Sequence, residues 1–253
     1  MKVLIATPLS PPDSGGPSYY SEGLFDAFKA LGKEVEIVSF RDVRGLPVGI
    51  RHFVFFLMVL VKLRKMDALI MLDTVSVAIP ASIAGRLLKK KMAVRVGGDF
   101  VWERYVERTN EKVLLSEFYS QDRELSRKEK YIIKLQKKYV FRDDVHLVFN
   151  TGWQYALWEE PYNLRDKDAQ VIGNAFDANV PKQTTSGEIF LAAWRPTTFK
   201  NIDTLEKAYE LARKSDPSIN LEIYKNIPRE SLHEYMMSAR ALIIPSLSEL
   251  APN

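Results

Sequence analysis

The chain contains no cysteine and only three histidines, His52, His146 and His233, scattered along it. Disulfides and thiolate zinc sites are therefore excluded, and a histidine metal cluster is not expected. The longest apolar run, Phe53 to Val61, is nine residues, against about 20 for a bilayer-spanning helix. The N-terminus enters an apolar run, KVLIAT, without the charged-then-apolar layout of a signal peptide, so a cytoplasmic location is expected. Neither the G-x-G-x-x-G dinucleotide fingerprint nor the G-x-x-x-x-G-K-[ST] phosphate loop occurs.

The 253 residues are 46% apolar and 27% charged, an ordinary globular composition with room for one or two domains. Charge is uneven: residues 1–145 carry 25 Lys/Arg against 18 Asp/Glu, whereas residues 146–253 carry 11 against 14. A basic half suggests an anionic partner, a nucleic acid or a membrane surface. Apolar strand-like runs at 2–7, 34–40, 67–73, 92–96, 145–150 and 170–176 alternate with helical patterns at 17–31, 50–65, 77–90, 125–140 and 151–159. Leu24, Phe25, Phe28 and Leu31 share one face of the first helix. The polar stretch 179–188 reads as a linker. Strands at 188–194, 219–224 and 241–246 then alternate with helices at 200–214 and 228–239. This predicts an α/β fold of two Rossmann-type, doubly wound parallel-sheet domains, 1–178 and 188–253, the second incomplete. Such sheets bind ligands at the carboxyl ends of their strands.

The candidate site residues fall at those ends. The first loop carries Gly15 and Gly16, which let backbone approach a ligand, then Pro17, suited to a helix start. Arg195 and Lys200, in WRPTTFKN, flank a strand–loop–helix turn, where a planar fork and a mobile ammonium suit a diphosphate; two solvated surface cations are the plain alternative. The loop after the last strand offers Ser246, Ser248 and Glu249, the carboxylate able to accept hydrogen bonds from sugar hydroxyls. An exposed loop Glu is the ordinary case. Asp99, after a glycine pair, is either a polar site group or a helix N-cap.

In this order, the Gly-rich first loop, IGNAFD (172–177), WRPTTFKN and PSLSE resemble the family 4 (group 1) retaining glycosyltransferases of GT-B fold. The resemblance implies a second domain that binds a nucleotide-diphospho sugar, a UDP- or GDP-sugar. Arg195 and Lys200 would hold its diphosphate and Glu249 would contact the donor sugar. Gly15 and Gly16 would lie at the reaction centre, with Asn174, Ser246 and Ser248 as further binding groups. It implies no permanently bound cofactor, no metal requirement, and a leaving phosphate that itself takes the acceptor's proton. Two departures stand out. Many members carry a histidine after the fourth strand, where this chain reads VRVGGDFVWER, and Asp99 is expected to replace it. The family's second Glu, eight residues past the first, would lie beyond Asn253, which suggests a piece of a longer chain whose own activity is in doubt.

For the acceptor, a glycan or lipid-linked molecule is expected. HFVFFLMVLVKLRK (52–65) either lies in a membrane interface with its cations on lipid phosphates or packs as a buried helix with a basic end; the fold class favours burial. Contact with an anionic membrane, at the inner face of the cell membrane, remains an expectation. A non-catalytic nucleotide-sugar-binding protein and a GT-B-fold sugar-nucleotide epimerase are the alternatives. Nucleic acid is not expected as a partner, since no recognised motif occurs.

Overall fold

A computed structural model describes residues 1–13, 15–165, 167–175 and 187–250. The chain divides into two compact units. One comprises Met1–Val101 with Arg123–Asn174, and the other Trp102–Asp122 with Ala175–Glu249. The expected linker lies mostly outside the described residues.

The first unit is built on six parallel strands in the order β2-β1-β3-β4-β5-β6. These are β1 (Lys2–Thr7), β2 (Glu34–Ser39), β3 (Ala68–Met71), β4 (Lys91–Val96), β5 (His146–Phe149) and β6 (Ala169–Val171). β1 and β3 are short apolar runs covered on both faces, as parallel strands must be: Leu4, Ile5, Leu69 and Met71 are fully buried. Helix α1 (Gly16–Ala30) lays Tyr20, Leu24, Phe25 and Phe28 against Val3, Ile5, Val35 and Leu72. Leu31, expected on that face, sits at the helix C-cap and is 69% exposed.

Helix α3 (Ala78–Leu87) buries Ala78, Ala81, Ala84 and Gly85. A Cβ at Gly85 would meet the Met92 sulfur at 2.4 Å, so glycine permits the close helix–strand approach. Its N-terminus is capped by Asp73, whose Oδ1 accepts from the N–H groups of Val75, Val77 and Ala78. Helix α6 (Arg127–Tyr139) starts in a Ser126–Glu129 capping box. Its buried Gln136 donates to Thr74 and accepts from the Tyr162 hydroxyl. Phe141, Phe149, Trp158 and Tyr162 form an aromatic cluster with α7 (Gly152–Glu159).

Helix α2 (Ile50–Leu63) departs from the expected buried helix. Its inward face is Phe55, Val59 and Leu63. Its outward face carries Ile50, Phe53, Leu57 and Val61, exposed at 54, 61, 41 and 61%. Those positions fall on one stripe of a 3.6-residue helix, so the uninterrupted apolar run supplies two apolar faces and only one is covered.

The second unit has three parallel strands in the order β8-β7-β9: β7 (Ile189–Trp194), β8 (Asn220–Lys225) and β9 (Ala241–Leu242). Helix α8 (Ile202–Ser215) packs Ile202 and Leu205 on Ala192. Helix α9 (Arg229–Ser238) precedes β9. Helices α4 (Phe100–Thr109) and α5 (Leu115–Phe118) fall in a stretch with no clean periodicity. From Trp102 onward they count with this unit.

Candidate functional site

In the second unit β7 pairs with β9, so the loops leaving their carboxyl ends are neighbours. The β7 loop runs through Arg195 and a 3-10 turn, Thr198–Lys200, into α8. The β9 loop contains Pro245, Ser246, Ser248 and Glu249. The loops are tied through backbone oxygens at two points: the Leu247 N–H donates to Phe199 O at 2.9 Å, and Asn201 Nδ2 donates to Pro245 O at 3.1 Å. Asn201 holds a left-handed backbone, φ 56° and ψ 33°, which asparagine tolerates far better than most residues. It also accepts from the Thr204 hydroxyl at 2.7 Å.

Lys200 Nζ donates to Glu249 Oε1, each side chain about a quarter exposed. The expected diphosphate cation and the expected sugar carboxylate therefore meet as an ion pair. Lys200 also lies 5.4 Å from the centroid of the Phe199 ring. Arg195 is exposed and pairs with no carboxylate among the described residues. Three hydroxyls in these loops, on Thr197, Ser246 and Ser248, are buried without a hydrogen-bond partner among the described residues. Buried hydroxyls are ordinarily satisfied by protein, water or a ligand, so these three have bonding capacity to spare. Two cations can neutralise an anion, and a carboxylate and hydroxyls can bond a neighbouring polyol.

The 102–122 segment braces this loop from within the same unit. The Glu107 carboxylate accepts from the Thr198 N–H at 2.5 Å and from its hydroxyl at 3.0 Å. Lys112 Nζ donates to Asp203 at 2.6 Å and to the Thr204 hydroxyl at 2.7 Å, holding the Asp203 carboxyl below its usual range by that hydrogen bond. Trp102 and Phe199 are 5.5 Å apart by ring centroids. Neither Glu107 nor Asn201 stood out in the sequence. A left-handed Asn at a helix start is a signal that the FKN triplet does carry.

In the first unit the strand ends bring together a second set. Gly15 is the buried N-cap of α1 and Gly16 its first residue. Tyr20, one turn on, stacks under the Arg95 guanidinium at 3.9 Å. Arg95, on β4, donates to Ile172 O at 3.2 Å and to Asn174 Oδ1. Asn174 is thus placed beside α1, whereas Phe176 and Asp177 of the same motif lie outside the described residues. Asp99 immediately precedes α4 and is 1% exposed. It is not a free carboxylate. Arg95 was missed, although a lone cation inside MAVRV was its sequence signal.

Among the described residues no group of three His, Cys, Asp or Glu side chains could hold a metal ion. The chain does carry one Asp-x-Asp triplet, Asp166-Lys167-Asp168. Asp166 lies outside the described residues, Lys167 pairs with Asp143, and Asp168 pairs with His146. Among the described residues no helix is long and apolar enough to cross a membrane.

No protein-family model and no curated protein matches the chain. Solved structures do. The UDP-GlcNAc 2-epimerase from Methanocaldococcus jannaschii aligns with a TM-score of 0.54 at 11% identity, over 96% of this chain and 78% of that one. A putative UDP-N-acetylglucosamine 2-epimerase from Listeria monocytogenes aligns at 0.52 and 12% identity, over 98% and 69%. A UDP-glucosyltransferase from Polygonum tinctorium aligns at 14% identity over 96% and 71%, with a lower TM-score of 0.46. At these identities the likeness is one of fold: two Rossmann-like units of parallel strands, in a GT-B-like chain.

Proposed function

We propose that the chain is part of a retaining glycosyltransferase of the family 4 kind, moving a sugar from a UDP- or GDP-linked donor to a glycan or lipid-linked acceptor. One observation carries the reading. The loops after β7 and β9 bring Arg195, Lys200, Glu249 and three unpartnered hydroxyls to one sheet edge. In this reading Arg195 and Lys200 take the donor diphosphate, and binding draws Lys200 from Glu249, freeing that carboxylate for sugar hydroxyls. Ser246, Ser248 and Thr197 offer further bonds. As the anomeric C–O bond to phosphate breaks, negative charge grows on the leaving oxygen. Cations held there by the bound diphosphate stabilise that charge more than the ground state. The acceptor oxygen bonds to the anomeric carbon on the same face and its proton passes to the leaving phosphate, so no metal and no dedicated base enter. In this reading Gly15 and Gly16 belong to the reaction centre, Asp99 replaces the histidine of the resembled family, and Asn174 is a further binding group.

The uncovered stripe of α2 supports a membrane-proximal acceptor. Four large apolar side chains point outward, with Arg64 and Lys65 at the end of the stripe. Contiguous exposed apolar surface of this kind marks an interaction face, and a basic rim suits anionic lipid. In this reading the protein works peripherally on a cytoplasmic membrane face.

A second reading is a sugar-nucleotide epimerase, favoured by the two fold matches above a TM-score of 0.5. Product analysis separates them. The chain, and the same chain extended past Asn253, is incubated with UDP- and GDP-sugars and candidate acceptors and followed by NMR. Nucleoside diphosphate release with a product of unchanged anomeric configuration supports the transferase. An isomerised sugar nucleotide without release supports the epimerase. An inverted anomer refutes retention.

A further inference from the structure

Arg95 is 6% exposed, and no carboxylate pairs with it among the described residues. Its partners among the described residues are neutral: the Tyr20 side chain, the Ile172 carbonyl and the Asn174 amide. Burying a charge without a counter-ion is costly, and native buried charges are ordinarily paired. Burial pushes the guanidinium below its usual range, the Tyr20 contact opposing this, yet arginine keeps its proton. Its bonds to Ile172 and Asn174 use one donor each on Nη1 and Nη2, out of five N–H groups.

The surroundings suit an anion. Arg95 lies next to the carboxyl end of β4, where ligands of such sheets bind. Helix α1, which supplies Tyr20, has no acidic residue in its first turn and no side-chain cap. At the end of the neighbouring strand β5, Asn150 Oδ1 is buried without a partner among the described residues, a spare acceptor for a ligand hydroxyl. A charged fork and a spare acceptor at one edge fit a molecule carrying both an anionic group and hydroxyls.

We propose that Arg95 is an anion-binding residue of the first unit, and that the group it holds is a phosphate or carboxylate of the acceptor. The acceptor role rests on the transferase reading; the anion site does not. Arginine's planar fork binds either group through two parallel hydrogen bonds, so the acceptor is an anionic molecule rather than a neutral sugar.

The test is calorimetric titration of the full chain with inorganic phosphate, glycerol 3-phosphate and glucuronate, with glucose as the neutral control. Wild type is expected to bind at least one anion saturably and not glucose. Arg95→Met removes the charge at similar bulk, a replacement buried sites often tolerate, and should weaken that binding by about tenfold or more. Arg95→Lys, which keeps the charge and loses the fork, should fall between, and serves if the Met variant fails to fold. Vesicles containing phosphatidic acid form a second arm: an Arg95-dependent loss there identifies a lipid phosphate, and a loss with soluble probes alone a free anion. No saturable anion binding by wild type in either arm, or equal binding by both variants and wild type, overturns the proposal. UDP and GDP titrations run alongside should be unchanged by Arg95→Met. If wild type binds neither nucleotide while anion binding still depends on Arg95, the transferase reading falls and the anion site stands.

Discussion

Asn201 joins the two loops of the proposed donor site, and its replacement has a calculable cost. The side chain supplies a bond to Pro245 O and accepts one from Thr204. Each is worth about 0.5–1.5 kcal/mol net. The left-handed backbone adds about 1–2 kcal/mol for an ordinary residue. Asn201→Ala loses both bonds and takes the strain, so unfolding free energy should fall by about 2–5 kcal/mol. Asn201→Asp tolerates the backbone and keeps an acceptor for Thr204, losing only the donor to Pro245, so it should cost about 1 kcal/mol. Urea denaturation of both variants gives the ranking directly. Nucleotide affinity should follow it, because the loop carrying Lys200 and the loop carrying Ser246 and Glu249 part company. An Ala variant no less stable than the Asp variant would refute the reasoning, since neither the strain nor the second bond would then count.

Glu107→Ala should destabilise the second unit by about 1 kcal/mol, an exposed charged contact being partly screened. Glu107→Gln should recover most of the loss, as urea denaturation would show. Phe53→Asp with Val61→Asp should abolish flotation with anionic liposomes at low salt while leaving circular dichroism and nucleotide binding unchanged; persistent flotation removes α2 as the membrane face. His52 packs against Phe40, and burial, helped by Arg51, holds its imidazole below the usual range. The unfolded chain therefore takes up this proton first as pH falls below about 6.5. Stability should drop from pH 7 toward the lowered folded value, and His52→Gln should flatten that part of the melting-temperature profile.

Strand and helix positions were legible wherever burial imposed a pattern. KVLIAT matched β1 because a parallel strand buried on both faces reads as a short apolar block, and EVEIVS matched β2 because it alternates, exposing Glu34 and Glu36 and burying Val35 and Val38. The last strand was less legible. ALIIPS pairs with β7 only through Ala241 and Leu242, and Pro245 has no N–H to extend a ladder. α2 misled for a physical reason: an unbroken apolar run cannot say which of its faces is covered. The loops at 195–200 and 245–249 were visible from residue type and order. The pairing of Lys200 with Glu249 was not, since it depends on β9 lying beside β7 rather than beside β8. Glu107 reaches Thr198 across 91 residues, which no local pattern encodes.

The central claim is a diphosphate clamp at the carboxyl edge of the β7–β9 sheet. It is tested most directly by titrating UDP, GDP and ADP into the wild-type chain, the chain extended past Asn253, and Arg195→Ala with Lys200→Ala in both. One nucleoside diphosphate is expected to bind, and the double variant to lose at least about tenfold in affinity, as for removing charged hydrogen bonds. Equal binding by wild type and double variant, or no binding by the extended wild-type chain, contradicts it.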